Sequence, residues 1–418
     1  MTFKVFWNTL TQTKALENSS GELETLFFES VYRVAYIIGM SDSDSGLYII
    51  YSTMVKFSIS MLFISEISYM ILDTNNFDDV AASLNVILLQ MIALYRYINM
   101  LSHRTLYRKL AVAMESETFD ITTKNRRSIV EQWSCINENY LKLLLGLGNL
   151  SLVPWFVYPL VDDVEYNLFF GLKLPVNYNN PRGYVISYVI LMIAFCLVAQ
   201  SVMVMDIRMQ AHFLHIVCQF NVLADCFQNI VEDCKNRLRV DNKLTNMNSY
   251  LHLDPNFKET YKQRLRGLVE QHKLLLRLSL KLRESLSGPM LGQLAASGIL
   301  ICFVGYQTVT TGTENVTKCL MSLLFLGYNL FGFYIVCRWS EEIKTQSGSI
   351  STAVYCSKWE TGFAIITTVK SSLIMVIARA QKPVIMTAGG MYDLSLTSYS
   401  SLVRTSYSAL TVLLGFRN

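Results

Sequence analysis

The amino-acid sequence has the composition of a membrane protein. Of its 418 residues, 52% are hydrophobic and only 16% are charged, whereas a soluble globular protein has about 25% charged residues. The formal net charge of +4 is too small to indicate a nucleic-acid partner. Residues 1–20 lack the basic cluster and apolar stretch of a cleavable signal peptide. Nine cysteines stand at scattered positions, which favours free thiols over a disulfide framework.

Seven apolar stretches are long enough to cross a bilayer, which takes about 20 helical residues. An earlier segment, 23–40, is interrupted by Glu24, Glu29 and Arg33, so we expect a short re-entrant or interfacial helix there. The seven predicted spans are 48–72, 80–101, 135–160, 183–205, 287–310, 316–337 and 394–416.

The pattern divides the chain into six regions of an all-α membrane protein. Residues 257–286 alternate leucines with Lys and Arg, which indicates an amphipathic helix that extends the next span out of the membrane. Short polar segments at 73–79, 161–182, 239–256 and 311–315 are predicted turns and loops. The regions are a cytoplasmic amino terminus (1–47), spans one to four (48–205), a helical cytoplasmic connector (206–286), spans five and six (287–337), cytoplasmic anchor helices (338–391) and the last span (392–418).

The distribution of Lys and Arg sets the orientation of these spans. Segments 96–132, 206–287 and 338–391 hold seven, thirteen and six basic residues, whereas the opposite set holds only Lys173, Arg182 and Lys318. Because basic connectors stay on the cytoplasmic side, the amino terminus is predicted inside and the carboxyl terminus outside. This orientation is the reverse of that of a G-protein-coupled receptor.

The last span carries a polar stripe. Thr397, Ser401, Arg404, Ser408 and Thr411 recur at steps of four and three, so they share one face of a helix. Such a stripe does not face lipid, because a charge near the bilayer centre costs at least about 2.5 kcal/mol. It faces either a neighbouring helix or a water-filled pore, and the segment alone favours neither alternative.

Two motifs near the carboxyl terminus resemble those of the insect odorant receptor family. The stretch 351–359, with Tyr355 and Trp359, looks like the cytoplasmic helix before that family's last span. The tripeptide at 406–408, Ser-Tyr-Ser, is similar to the family's Thr-Tyr-Ser signature, with serine in the first position. The resemblance extends over most of the chain.

The resemblance implies a ligand-gated, non-selective cation channel of four subunits around a central pore. The last helix would line that pore, with a hydrophobic gate at Leu410 and Leu414, which closes a pore by excluding water. Leu410 lies off the polar stripe of Arg404, Ser408 and Thr411, so either the helix twists or part of the stripe faces a neighbouring helix. At this length, and without an expanded second cytoplasmic connector, the chain looks like an odorant-tuning subunit that needs the odorant co-receptor as its partner. The implied location is the plasma membrane of olfactory sensory neurons.

The resemblance also implies that a small volatile binds in the outer half of the bundle. Aromatic side chains with a polar tip suit such a ligand, although ordinary packing and interfacial aromatic belts also account for them. The candidate ligand-binding residues are Leu84, Leu88, Trp155, Tyr158, Tyr184, Tyr188, Phe303 and Tyr306, of which Trp155 and Tyr306 are preferred.

Other functions fit the sequence less well. His212, His215 and Cys218 share a helical face but have no fourth ligand at suitable spacing, so we predict no metal site. We also predict no cofactor and no enzymatic activity, because no catalytic constellation or nucleotide-binding loop is present. A transporter would show repeated halves, which the chain lacks. The remaining alternatives are a gustatory receptor channel of the same superfamily and the odorant co-receptor itself.

Overall fold

The computed structural model describes residues 11–41, 44, 46–72, 77–116, 119–161, 166–169, 172, 180–240, 254–311, 316–359 and 367–417. Most of the predicted acidic turn, the outer loop after the third span, the polar break before residue 254 and the turn at 312–315 lie outside these residues.

Nearly all of the described chain is helical. Its elements are α1 (Lys14–Glu17), α2 (Glu22–Ile37), α3 (Leu47–Leu72), α4 (Phe77–Ser102), α5 (Arg104–Val112), a short 3-10 helix (Ala113–Glu115), α6 (Lys124–Val161), α7 (Pro181–Gln228), α8 (Ile230–Val240), α9 (Pro255–Thr311), α10 (Val316–Tyr355), α11 (Thr367–Ala380), strands β1 (Thr387–Ala388) and β2 (Tyr392–Asp393), and α12 (Leu396–Arg417).

Six of the described helices, α3, α4, α6, α7, α9 and α10, are long and apolar enough to cross a membrane. The helix α12 has 22 residues, or about 33 Å at 1.5 Å per residue, which matches the thickness of a bilayer core. Its arginine and hydroxyl side chains lower its mean hydropathy, which is why α12 is not among these six helices. The architecture agrees with the predicted all-α membrane protein of seven crossing helices.

Four helices run without a break from the membrane into the inner half of the molecule. The helix α9 has 57 residues, about 86 Å, and α7 has 48, about 72 Å. The sequence predicts the connector 206–286 and the anchor region 338–391 as regions separate from the spans before them, and it predicts that 257–286 extends the span 287–310. In the structure α7 (Pro181–Gln228) and α10 (Val316–Tyr355) each continue from a span into the region that follows it. The helix α9 joins 257–286 to the fifth span and contains Pro289, where packing on neighbouring helices outweighs the loss of one backbone hydrogen bond.

The predicted interfacial segment is a packed helix. The side chains of Phe27, Phe28, Val31 and Ala35 on α2 are all at most 2% exposed, and they pack against α6 and α7. One face of the helix that was predicted to be re-entrant or interfacial is thus packed against the bundle. A correction concerns 351–359, where α10 ends at Tyr355 and a turn follows.

A cluster of five charged residues joins four elements in the inner half of the molecule. Arg126, at the start of α6, is fully buried and places its guanidinium nitrogens 2.7 Å from carboxylate oxygens of Asp120, Asp225 and Asp233. Arg264 on α9 pairs with Asp120 and with Asp233, the latter at 3.0 Å. This charge cluster ties the amino-terminal end of α6 to α7, α8 and α9.

The environment of Asp120 in the charge cluster favours its ionised form. Burial acts to raise the pKa of Asp120, but hydrogen bonds from Thr122 and the charges of Arg264 and Arg126 outweigh it, so the pKa lies below its usual value. With two arginines and three aspartates the cluster carries a net charge of −1. Each arginine is therefore compensated within the described part of the chain.

The helix α12 packs on α9 at two glycines. A Cβ atom at Gly298 would lie 3.2 Å from Leu402, and one at Gly305 would lie 3.0 Å from Leu410. Both distances are tighter than most Cβ contacts, so the glycines allow the two backbones to approach closely. Leu402, Ser406 and Leu410, at steps of four residues, thus form the face of α12 that contacts α9.

Candidate ligand cavity and pore helix

A small cavity lies inside the membrane part of the bundle. It has a volume of about 50 Å³, which is well below the roughly 300 Å³ at the lower end of ligand pockets. A ligand must therefore displace side chains in order to enter. The described residues that line the cavity come from α4, α6, α7 and α10: Val86, Leu89, Gln90, Ser151, Leu152, Trp155, Phe195, Val198, Ala199, Val202, Met203, Phe325 and Tyr328.

Trp155 forms the aromatic wall of this cavity. Its ring is 5.4 Å from the ring of Phe195 and 5.9 Å from that of Phe325, the latter edge-on. Only 6% of Trp155 is exposed. Aromatic pairs at these separations attract each other and present a continuous apolar surface, which suits a small hydrophobic ligand.

Gln90 is the polar group that faces this apolar wall. Its Nε2 donates to both carboxylate oxygens of Glu66 on α3, at 3.0 and 2.7 Å. Its carbonyl oxygen Oε1 is buried and has no hydrogen-bond partner among the described residues. Because an unpaired buried acceptor costs about 1–3 kcal/mol, the site gains when a ligand supplies a donor.

Glu66 fixes the orientation of that amide. It is 2% exposed within a span, where an acidic side chain is costly and is usually functional. Because the amide nitrogen of Gln90 points toward Glu66, its carbonyl oxygen points away from Glu66. Glu66 is thus a positioning residue that lies outside the cavity.

A chain of polar contacts leads from the cavity to α9. The hydroxyl of Tyr328 on α10 donates to Asp206 Oδ2 on α7 at 3.1 Å. The other oxygen of Asp206 binds Arg96 on α4, which also binds the side-chain oxygen of Gln293 on α9. We call these four residues the polar network; they connect a cavity residue to the helix that supports α12.

Arg96 is buried, with 4% of its surface exposed, although the sequence analysis counted it among the inner basic residues. Without it, segment 96–132 still holds six basic residues. The orientation predicted for the spans is therefore unchanged.

The polar stripe of α12 points away from the rest of the chain. Thr397, Ser401, Arg404, Ser408 and Thr411 are all exposed, so none of them is buried in the bundle of a single subunit. Leu410 and Leu414 are half-buried, and Leu410 contacts α9. The stripe and the predicted gate leucines therefore lie on different faces of α12.

A wider, open groove of about 690 Å³ lies between α3 and α7. Ten of its thirteen described lining residues are apolar, the others being Ser58, Ser65 and Ser68, and only 17% of the most apolar 18-residue stretch of α3 is buried. We expect lipid chains to fill this groove, because it lies beside an exposed apolar helix and the hydroxyls of Ser58 and Ser68 already donate to backbone carbonyls of their own helix.

Comparison with known proteins identifies the family of this chain. A family model described as the seven-transmembrane odorant receptor matches residues 76–407, which is most of the chain.

The chain belongs to the odorant receptor family. Its relatives include odorant receptor 82a of Drosophila melanogaster, with 32% identity over 150 residues, covering 36% of this chain and 38% of that one. Odorant receptor 94a of the same organism is 24% identical over 255 residues, covering 60% and 59%. The chain thus spans between about a third and three fifths of these relatives' lengths.

The fold of this odorant receptor matches solved structures. The insect olfactory receptor OR5 from Machilis hrabei, in complex with eugenol, has a TM-score of 0.76 and 14% identity, and the match covers 94% of this chain and 100% of that one. The ligand-free form gives a TM-score of 0.75 at 15% identity. These matches confirm the predicted fold class, and the family confirms that the chain is a receptor and not an enzyme.

The structure brings only one of the predicted ligand-binding residues, Trp155, to the cavity. Tyr184 and Tyr188 lie at the outer end of α7, where their hydroxyls donate to backbone carbonyls of Asn167 and Phe156. Tyr158 is buried, and Lys318 lies 5.1 Å from the centre of its ring. None of these three tyrosines is among the described residues that line the cavity.

The other four predicted residues lie elsewhere. Leu84 and Leu88 are half-buried on α4, whereas the cavity is lined by the face that carries Gln90. Phe303 and Tyr306 are on α9, which contributes no described residue to the cavity. Which residues reach the cavity depends on how each helix is rotated about its axis. The sequence of a span that is apolar on all sides does not reveal that rotation.

The sequence analysis missed Gln90, Glu66 and the polar network. A signal was present, because intramembrane Gln, Glu and Arg are rare and therefore informative. That signal indicates that these residues are important but does not indicate their partners. Gln90 and Glu66 are 24 residues apart along the chain, and Arg96 and Asp206 are 110 residues apart.

His212 and His215, for which a metal site was not favoured, have packing and hydrogen-bonding contacts. The ring of His212 packs 4.9 Å from that of Phe28, and Gln219 Nε2 lies 3.0 Å from Nδ1 of His215. Within the described residues no group of three or more His, Cys, Asp or Glu side chains is arranged to hold a metal. All nine cysteines are free, as the sequence analysis predicted.

Proposed function

We propose that this odorant receptor is the odorant-tuning subunit of a ligand-gated, non-selective cation channel. It assembles with the odorant co-receptor, as a tetramer, in the plasma membrane of olfactory sensory neurons. The observation that carries the proposal is the cavity walled by Trp155, within the fold shared with an olfactory receptor that is solved in complex with eugenol. The volatile binds there.

The chemistry of the cavity favours a small, mainly apolar ligand that carries one hydrogen-bond donor. Trp155, Phe195 and Phe325 supply apolar area, and the carbonyl oxygen of Gln90 accepts the donor. Alcohols and phenols meet this description, whereas ethers and hydrocarbons of the same shape leave Gln90 unpaired. One such hydrogen bond contributes about 0.5–1.5 kcal/mol.

The polar network supports a route from ligand to pore. A ligand that enlarges the cavity displaces Tyr328, which is bonded to Asp206 and through it to Arg96 and Gln293 on α9. Since α12 packs on α9 at Gly298 and Gly305, a shift of α9 moves the pore helix. Leu410 and Leu414 form the gate in this proposal, and the stripe of Arg404, Ser408 and Thr411, which lies on another face of α12, contacts the neighbouring subunit.

Electrophysiology tests this function. The chain is expressed alone, with the co-receptor, and in a control with the co-receptor only, and currents are recorded across a panel of volatiles. We expect a volatile-evoked current that appears only when both subunits are present. Surface expression of both subunits without any new response would contradict the assignment as a tuning subunit, and a response from the chain alone would favour the co-receptor.

A further inference from the structure

A second cavity, of about 380 Å³, lies at the inner boundary of the membrane and is not used by the proposed function. It is formed where the inner end of α4 and the middle of α7, at Arg208 and His212, meet α1, α2 and α5. Met100, near the end of the second span, and Arg208, three residues after the predicted end of the fourth, place it at this level. The described lining residues are Ala15, Asn18, Phe28, Val31, Tyr32, Ala35, Ser41, Met100, Arg104, Tyr107, Arg108, Arg208 and His212.

This cavity has a basic side and an apolar side. Arg104, Arg108 and Arg208 contribute three positive charges, and no Asp or Glu occurs among its described lining residues. Glu24 lies behind the wall, fully buried, and pairs with Arg108. The lining therefore keeps an excess of positive charge, while Phe28 and its apolar neighbours cover the opposite side.

His212 adds an unpaired polar group to the basic side. It is 7% exposed, and its Nδ1 has no hydrogen-bond partner in the described part of the structure. The rings of Phe28 and Tyr107, at 4.9 and 5.0 Å, hold the imidazole in place. A buried nitrogen without a partner is costly, so an oxygen-rich ligand beside it is favourable.

We propose that this cavity binds a phosphate group carried by an anionic lipid headgroup. Guanidinium groups are the preferred partners of phosphate oxygens, and basic pockets between membrane helices on the cytoplasmic side are suited to such headgroups. The apolar side accommodates the start of the lipid's glycerol and acyl portion. The ligand joins α2, α5 and α7, three helices that meet beside the inner end of the bundle.

Thermal unfolding of the full-length chain, purified in detergent, tests the proposal. Midpoints are measured with dioctanoyl phosphatidylinositol 4,5-bisphosphate, dioctanoyl phosphatidylserine and the zwitterionic dioctanoyl phosphatidylcholine. Inositol 1,4,5-trisphosphate serves as a soluble phosphate source. Arg104→Gln removes one cavity charge on an exposed side chain, and Lys109→Gln removes the same charge from the same helix outside the cavity.

We expect the anionic lipids to raise the midpoint and phosphatidylcholine to leave it unchanged. Arg104→Gln should weaken the apparent lipid affinity about fivefold, the amount expected for one basic residue at a membrane surface, and Lys109→Gln should not. An equal shift from inositol trisphosphate, with the same dependence on Arg104, would keep the phosphate site and assign it to a soluble ligand. No shift with any anionic probe, an equal shift with phosphatidylcholine, or an equal loss in Lys109→Gln would overturn the proposal.

Discussion

In the inner half of this receptor charged groups are buried and paired, whereas in the outer half helices surround a cavity and turn apolar faces to lipid. Residues 213–223 of α7 include eight hydrophobic side chains that are at most 1% exposed, and the charge cluster lies at the same level of the molecule. By contrast, only 17% of the most apolar 18-residue stretch of α3 is buried. The inner half is therefore built to hold four long helices in fixed positions, and the outer half is built to change shape around a ligand.

Breaking the charge cluster should have the largest effect. Arg126→Ala leaves three carboxylates without their shared cation, and removing one partner of a buried ion pair typically costs about 3–5 kcal/mol. We expect loss of surface expression and of a cooperative thermal transition, measured by fluorescence-detected size-exclusion chromatography. Arg127→Ala is the matched control, because the side chain of Arg127 is 63% exposed and its ion pairs contribute little. Equal stability of the two variants would show that the stability of the inner half does not depend on the charge cluster.

The next largest effect is expected at the proposed gate leucines of the pore helix α12. Leu410→Ser or Leu414→Ser should raise the resting current of cells that express both subunits, since a polar ring no longer excludes water from the closed pore. Val412→Ser, on the opposite and exposed face of α12, is the control and should not leak. An unchanged resting current in both leucine variants would remove the gate from this position.

Truncating Trp155, the aromatic wall of the cavity, should affect the outer half alone and leave the charge cluster of the inner half intact. Trp155→Ala should raise the half-maximal concentration of an activating volatile about tenfold or more, because a buried aromatic side chain contributes several kcal/mol. Trp155→Phe should restore much of the response. Tyr306→Ala should leave the concentration dependence unchanged, because Tyr306 lies on α9, which contributes no described residue to the cavity. Lost surface expression, measured in parallel, would instead indicate a packing role for either residue.

The smallest predicted effect concerns selectivity. Gln90→Leu should abolish the preference for an alcohol over its methyl ether, a ratio of about fivefold, since one hydrogen bond contributes about 1 kcal/mol. Glu66→Leu should reduce the same ratio without touching the ligand, because the amide of Gln90 is then free to rotate. The two potencies are measured by current recording. A ratio that persists in Gln90→Leu would show that another group accepts the hydrogen bond.

The sequence predicts the membrane class, the spans and the family with little ambiguity, because apolar length and basic flanks are local properties. It misplaces the ends of long helices, since the polarity change at the membrane surface, as in α7 after Met205, resembles a helix boundary. Of the site it identifies Trp155 and the exposed stripe of α12. Gln90, Glu66 and the polar network depend on which faces of different helices meet, and that information is not contained in any single span.

The helix α9 carries Arg264 of the charge cluster at one end and Gly305, beside the pore helix, near the other. Successive residues of an α-helix are rotated by about 100°. One residue inserted between these positions would swing the glycine groove away from α12 while leaving the salt bridges intact. The spacing of 41 residues is therefore fixed, and we expect a one-residue insertion or deletion between Arg264 and Gly305 to disrupt one of these two contacts.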